Sequence, residues 1–449
     1  MHPVPPGPSS SRQELLKFAK DPLTYFLELT ATYGEIVYTR IGSRETYVIT
    51  HPDALREILV EQSDKFEKTG HTKDSASTFM GEGLLVTAGA IHKRQRRTIQ
   101  PLFTPAWVQS YAQTMISDAT AVVDSWKDGE TRDIAADMMK LALNIVSKTV
   151  FGASGVDKST EFARATAVMQ QYTDDTLRRS KLVSVTEEQC QEAVAVMEDL
   201  VTEVLMHRTQ SNRHDLVSLL SAAVDPETHH TMSDKEIRDH ALTLLIAGHE
   251  TTANALAWTW YLLAKHPQVK TRLREEIERT CGAGLPTVDQ LTELRYTEMV
   301  LKESLRLYPP AWLLGRTPIE PVTVAGYTIN PQANIVISPF VIHRNPRYFV
   351  DPDNFIPERF TKEPRRYTYL PFGAGPHACI GQPFAMLELT FVLVTLMQKA
   401  DLTIPDDYIA QPEPMMTLRP KGGLRMIVSK RSTKRSSQQY GRPADTAAM

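Results

Sequence analysis

The chain has 449 residues, 42% of them hydrophobic, which is enough to bury a large core. Its 50 Lys and Arg nearly balance its 53 Asp and Glu, so there is no general electrostatic case for binding nucleic acid. Cys190, Cys281 and Cys379 form neither a CxxC pair nor a secreted-type framework, no apolar run reaches about 18 residues, and MHPVPPGPSSS lacks a signal-peptide core. A cytoplasmic protein without a transmembrane anchor is therefore expected.

Residues 1–12 are rich in Pro and Ser and should form an irregular arm. EIVYTRIG (35–42) and ETYVITH (45–51) have the composition of strands joined by a tight turn. From about 53 to 310 the pattern is helical. Short β-type runs, VTVAGYTI and ANIVIS, return between about 318 and 345. The polar end, KRSTKRSSQQYGRPADTAAM, reads as disordered. The expectation is one mainly α domain with a smaller β portion over residues 1–430, and a disordered tail over 431–449.

The best-defined helix starts near 233, where Ser233 and Glu236 match a capping box. His266-Pro267 ends it, because the residue before proline resists the α conformation. It should hold about 30 residues and span about 45 Å. Its centre, Ala247-Gly248-His249-Glu250-Thr251-Thr252, is unusual. Glycine is costly inside a helix, and Glu250 puts a carboxylate into an otherwise apolar stretch. Two readings stand: a solvent-facing polar turn or kink, or a local opening beside a ligand with an acid and a hydroxyl facing it.

Cys379 lies in FGAGPHACIG, residues 372–381, and four fates are open to it. It fits a small buried hydrophobe. A nucleophile needs a base, and His377 is two residues away. Zinc needs more ligands at metal spacing than are present. An axial thiolate on haem iron needs one cysteine and backbone N–H groups aimed at the sulfur. Glycines allow that close approach, and the helix expected from QPFAMLELTFVLVTLMQ would present its positive end to the sulfur.

FGAGPHACIG resembles the haem-binding loop of the cytochrome P450 family, with Phe372, Gly375, His377, Cys379 and Gly381 at the pattern positions. Three further segments are similar to family motifs. Glu303 and Arg306 in VLKESLRLYPP resemble the ExxR pair, which the family joins to the Arg of a later segment, here Arg359 of Pro357-Glu358-Arg359-Phe360. AGHETT resembles the oxygen-activation segment, with Glu250 and Thr251 as its acid–alcohol pair. His92-Lys93-Arg94-Gln95-Arg96 resembles the early helix that contacts a haem propionate, with His92 in place of the more common Trp.

The resemblance implies the cytochrome P450 fold, with haem b between the long helix and a cysteine-ligand loop. It implies a monooxygenase that inserts one oxygen atom of O₂ into a C–H or C=C bond. Cys379 would be the axial ligand. His92, Arg96, Arg316 and His377 would contact the propionates, and Phe372, Gly373, Gly381 and Ala247 the rest of the haem. Thr251 would hold a water and Glu250 relay protons, while Glu303, Arg306 and Arg359 support the fold. The implied substrate pocket is Phe79, Met80, Leu84 and Leu85; Leu244 and Ala247; Ala311, Trp312, Leu313 and Leu314; and Met415, Met416 and Leu418. These residues suit a lipophile such as a fatty acid, terpenoid or steroid. Electrons would come from NAD(P)H through a separate ferredoxin or flavodoxin and its reductase, with Lys93, Arg94, Arg97 and Arg365 as candidate contacts. The rival readings are a hydrogen-peroxide-driven peroxygenase on the same fold, a haem-binding carrier or sensor without turnover, and a haem-free cysteine hydrolase.

Overall fold

A computed structural model describes residues 4–9, 11–41, 44–69, 80–152, 159–178, 184–206 and 215–431. Phe79 and the tail from 432 onward lie outside the described residues.

The two β-type runs near the N-terminus pair as strands Ile36–Ile41 and Arg44–Ile49, antiparallel, with Val37 opposite Val48 and Tyr38 opposite Tyr47. Asn334–Ile337 adds parallel to the second of them. Leu314–Pro318 and then Phe66–Glu67 complete a five-stranded sheet. The arm is less irregular than its composition suggests. The Tyr38 N–H donates to Pro6 O at 3.0 Å, and a helix already begins at Ser11. The expected run VTVAGYTI forms a separate hairpin, Val322–Val324 with Tyr327–Ile329.

Helices make up most of the remainder. The long central helix is Asp234–Lys265, 32 residues, or about 48 Å of rise. Its capping box is formed: the Ser233 side chain accepts from the Glu236 N–H, and the Glu236 carboxylate accepts from the Ser233 N–H. Trp258 and Trp260 are almost fully buried within the largest apolar cluster. Each such side chain contributes about 1.5–3 kcal/mol through burial. Trp258 also stacks on Tyr308 at 3.9 Å and donates its indole N–H to Leu418 O at 3.0 Å.

The central helix does not open at residues 247–252, so the expected local break is corrected. The helix is unbroken through this turn, and the Thr251 hydroxyl donates back to Ala247 O at 2.8 Å. Gly248 serves packing instead. A Cβ there would lie 3.0 Å from Val146 of the adjacent helix Ile134–Phe151.

Two further helices frame the site. Arg295–Leu307 carries Glu303 and Arg306. Gln382–Lys399 starts immediately behind the cysteine loop, with Gly381 at its N-cap. Among the described residues no helix is long and apolar enough to cross a membrane.

Candidate active site

A cavity of about 570 Å³ lies between the central helix and the cysteine loop. Cys379 opens onto it and is enclosed by protein on its other sides. Its N–H donates to Phe372 O at 2.8 Å, closing the loop on itself. The N–H groups of Gly381 and Gln382 donate to the sulfur, at the start of the following helix. Burial pushes the Cys379 thiol up; these two N–H groups and the Arg96 guanidinium act in the opposite direction, towards thiolate. Gly375 explains part of the glycine content. Its φ is +71°, and a Cβ would stand 1.8 Å from Leu59 O.

The alternatives left open by the sequence narrow here. Among the described residues no three His, Cys, Asp or Glu side chains are grouped to hold a metal ion. His377 does not approach the sulfur as a base; its ring stacks on that of His92 at 4.0 Å.

His92, Arg96, Arg316 and His377 meet at one edge of the cavity, and Lys68 joins them. Arg96 donates to Ala378 O at 2.6 Å, fixing it against the cysteine loop. Arg316 lies on the strand Leu314–Pro318, opposite Ile335, and donates to Gly315 O. Lys68 donates to Leu84 O at 3.0 Å and Leu85 O at 2.6 Å. Among the described residues none of these five basic groups has a carboxylate partner. The consequence is seen in their protonation. Burial first, then the neighbouring cations, pushes His92 down to about 4, His377 to about 3 and Lys68 to about 7. Burial alone lowers Arg316 to about 10. His377 Nδ1 is buried without a hydrogen-bond partner. A buried cluster of basic groups, without an acid among the described residues, fits a ligand that brings carboxylates with it. One sulfur with two N–H donors fits a single axial ligand. The residues present therefore fit haem: Cys379 would be available as its ligand and the basic cluster would meet its propionates.

On the other wall, Glu250 is 2% exposed and its carboxylate is held. Gln170 Nε2 donates to Oε2 at 2.6 Å, and the Thr417 hydroxyl donates to Oε1 at 2.8 Å. Asn254 in turn donates to the Thr417 hydroxyl at 2.8 Å. Thr251 lines the cavity one residue on. Its proton is committed to Ala247 O, so its lone pairs face the cavity as acceptors.

Met80, Leu84, Leu85, Leu244, Ala247, Ala311, Trp312, Leu313, Leu314, Met415 and Met416 all line the cavity, as do Phe372, Gly373 and Gly381. Leu418 does not, and that expectation is corrected. It is fully buried in the apolar cluster with Phe26, Val48 and Phe340. Strand alternation turns it away from the Met415–Thr417 turn. Two candidate partner contacts also change. Arg94 is paired with Glu236 at 2.7 Å, and Arg97 holds Asp225 with two hydrogen bonds, so both brace the fold. Arg365 lies 3.4 Å from Asp53, and Lys93 is exposed.

Glu303, Arg306 and Arg359 come together beneath the loop. Arg306 donates to both oxygens of Glu303, at 2.7 and 2.8 Å, and to the carbonyls of His343, Pro352 and Asn354. Arg359 Nε donates to Glu303 Oε1 at 2.8 Å. His343 extends the network: its Nδ1–H donates to Arg306 O, and its Nε2 accepts from Leu370 N at 2.8 Å.

Sequence reasoning missed Lys68, Gln170, Thr417 and His343. Asn254 and Thr417 had a faint signal, since Asn254 is one helical turn beyond Glu250 and Thr417 follows the Met pair. Gln170 and Lys68 reach the site only through tertiary folding.

A family model described as Cytochrome P450 matches residues 3–428. Cyclooctatin synthase of Streptomyces melanosporofaciens is 34% identical over 95% of this chain and 95% of its own. Cyclooctat-9-en-7-ol 5-monooxygenase of the same organism is 34% identical over 84% of each chain. Pentalenene oxygenase of Streptomyces avermitilis is 30% identical, covering 91% of this chain and 93% of its own. The crystal structure of the cytochrome P450DA heme domain superposes with a TM-score of 0.87 at 28% identity, covering 96% of this chain and 98% of that one. The chain belongs to the cytochrome P450 family and is an oxidoreductase of the monooxygenase class.

Proposed function

We propose that this chain hydroxylates a lipophilic, terpenoid-like small molecule, with Cys379 as the axial ligand of haem b. The observation that carries the reading is the pairing of the Gly381 and Gln382 N–H groups on the Cys379 sulfur at the floor of an apolar cavity. The anion-free basic cluster beside it supports haem. Relatives named for cyclooctat-9-en-7-ol and pentalenene support the substrate class.

When bound, haem with a thiolate ligand supplies the activation of O₂. The protein supplies position, polarity and proton control. The two N–H donors favour the thiolate against the burial that raises the thiol. Lys68, His92, Arg96, Arg316 and His377 would hold the propionates and so orient the group. The Met, Leu, Ala and Trp side chains of the cavity exclude bulk water and hold the substrate. Thr251 accepts a hydrogen bond from a water in the cavity. Glu250, kept in place by Gln170 and Thr417, is the proton reservoir one residue away. Electrons are supplied by a separate ferredoxin or flavodoxin with its reductase, drawing on NAD(P)H, in the cytoplasm. Lys93 and Arg365 are the remaining candidates for that partner's acidic surface.

The test is the absorbance of the haem-reconstituted, dithionite-reduced protein under carbon monoxide. A strongly red-shifted Soret band that disappears in Cys379→Ser is expected. A wild-type protein without that band overturns the reading.

A further inference from the structure

The inference concerns what the substrate already carries, and it rests on the function proposed above. His240, Leu244, Ala247 and Thr251 fall at i, i+4, i+7 and i+11 of the central helix, and all four line the cavity. The helix rise puts His240 about 16 Å along the axis from Thr251. His240 is therefore at the end of the cavity remote from the acid–alcohol pair.

His240 is 1% exposed, and its Nε2 is enclosed without a hydrogen-bond partner. Among the described residues no group bonds to either nitrogen of the ring. The adjacent polar groups are committed elsewhere. The Thr243 hydroxyl donates to Asp239 O at 2.8 Å, and the Asp239 carboxylate accepts from Glu82 N and from Lys235. The Glu236 carboxylate accepts from Arg94 and Ser233 and meets His230. The other lining at this end includes Met80, Leu84, Leu216 and Leu244, all apolar. A buried imidazole with no partner costs free energy, and among the described residues no hydrogen bond offsets that cost.

Burial pushes His240 down to about 4, so the ring is neutral at physiological pH. A neutral imidazole presents one N–H and one lone pair. A hydroxyl both donates and accepts, and matches either tautomer. A carboxylate could use only the N–H and would bring a charge into this apolar end without a counter-ion beside it.

We propose that His240 is the polar anchor of the substrate pocket, and that the substrate is a lipophilic alcohol whose hydroxyl is remote from the carbon to be oxidised. The reaction that supplies this substrate is then one that installs an alcohol, and this enzyme adds a second oxygen to the far end.

The experiment is a set of spectral titrations of the haem-reconstituted full chain with matched probes: farnesene against farnesol, and dehydroabietane against dehydroabietol. Wild type, His240→Leu and His240→Gln are compared. Each alcohol is expected to bind about 5- to 10-fold more tightly than its hydrocarbon in wild type. The gap should close in His240→Leu and persist in part in His240→Gln. A wild-type gap below about twofold, or one undiminished in His240→Leu, overturns the proposal. The carbon monoxide spectrum is taken first, on all three proteins. If the red-shifted band is absent, the proposed function fails by itself, and the same pairs are titrated through tryptophan fluorescence, since Trp312 lines the cavity. The His240-dependent gap then decides the anchor separately.

Discussion

Glu303→Ala is the perturbation whose cost the structure fixes best. The Glu303 carboxylate is 0% exposed and accepts four hydrogen bonds: two from Arg306, one from Arg359 Nε and one from Ile356 N at 2.9 Å. Removing it strands the Arg306 charge. That charge has no escape to water, because the carbonyls of His343, Pro352 and Asn354 hold the guanidinium in place. Removing one partner of such a buried pair costs about 3–5 kcal/mol. Against a net stability of about 5–15 kcal/mol, that is a large fraction of the whole. The damage should reach the cysteine loop, since His343 bonds Arg306 O on one side and Leu370 N on the other. Leu370 lies two residues before Phe372, whose carbonyl closes the loop around Cys379. The assay is urea unfolding of apo-protein, followed by haem stoichiometry after reconstitution. Glu303→Gln, which keeps an acceptor in place, should lose less than Glu303→Ala. An Ala variant within about 1 kcal/mol of wild type, with full haem content, would refute the argument.

Thr251→Ala removes the acceptor that faces the cavity. Product formed per O₂ consumed should fall about tenfold or more while hydrogen peroxide rises, measured together in one turnover assay; unchanged coupling counts against this role. Lys68 titrates near 7 in the folded apo-protein but near its ordinary value of about 10.4 when unfolded. The unfolded state therefore binds more protons between those values, so this lysine's penalty fades and stability rises with pH across that window. Lys68→Met should abolish that rise in apo-protein melts between about pH 7 and 10. Glu388 is fully buried with neither carboxyl oxygen hydrogen-bonded, and burial raises it well above the carboxylate range, with Asp118 adding to the shift. The sign is opposite: the folded state holds the proton, so its contribution falls as pH rises above the unfolded carboxylate value. Glu388→Gln should therefore gain on wild type towards neutral pH, read by the difference between their unfolding free energies at acid and neutral pH.

What the sequence disclosed follows from how local each feature is. The central helix was readable because its capping box and its His266-Pro267 stop are made within the chain segment itself. The strands near 36–49 were readable from their β-branched and aromatic residues, and Gly375 from the need for a left-handed turn in the loop. The expected helix opening was wrong because helical composition does not reveal a tertiary neighbour. Gly248 answers to Val146, more than a hundred residues earlier. Leu418 was assigned to the pocket because it follows Met415 and Met416, but the strand beyond the turn directs it into the core. Arg94 and Arg97 looked like a free basic face, yet Glu236 and Asp225, far along the chain, neutralise them.

The two walls of the cavity are built from partners far apart in the chain, and this is the deeper reason the site was only half legible. At the haem edge, five basic groups are crowded together without an acid among the described residues, so their repulsion and burial are relieved by a ligand that brings negative charge. At the central helix, the buried Glu250 carboxylate accepts from two neutral donors, Gln170 and Thr417. An arginine in place of either donor would hold Glu250 as a fixed carboxylate and remove it from proton transfer. The Gln170 amide and the Thr417 hydroxyl fix its position without adding a charge of their own. A motif records Glu250 and Thr251, but the donors that hold the carboxylate reach it from residues 170 and 417, and only the folded chain brings them there.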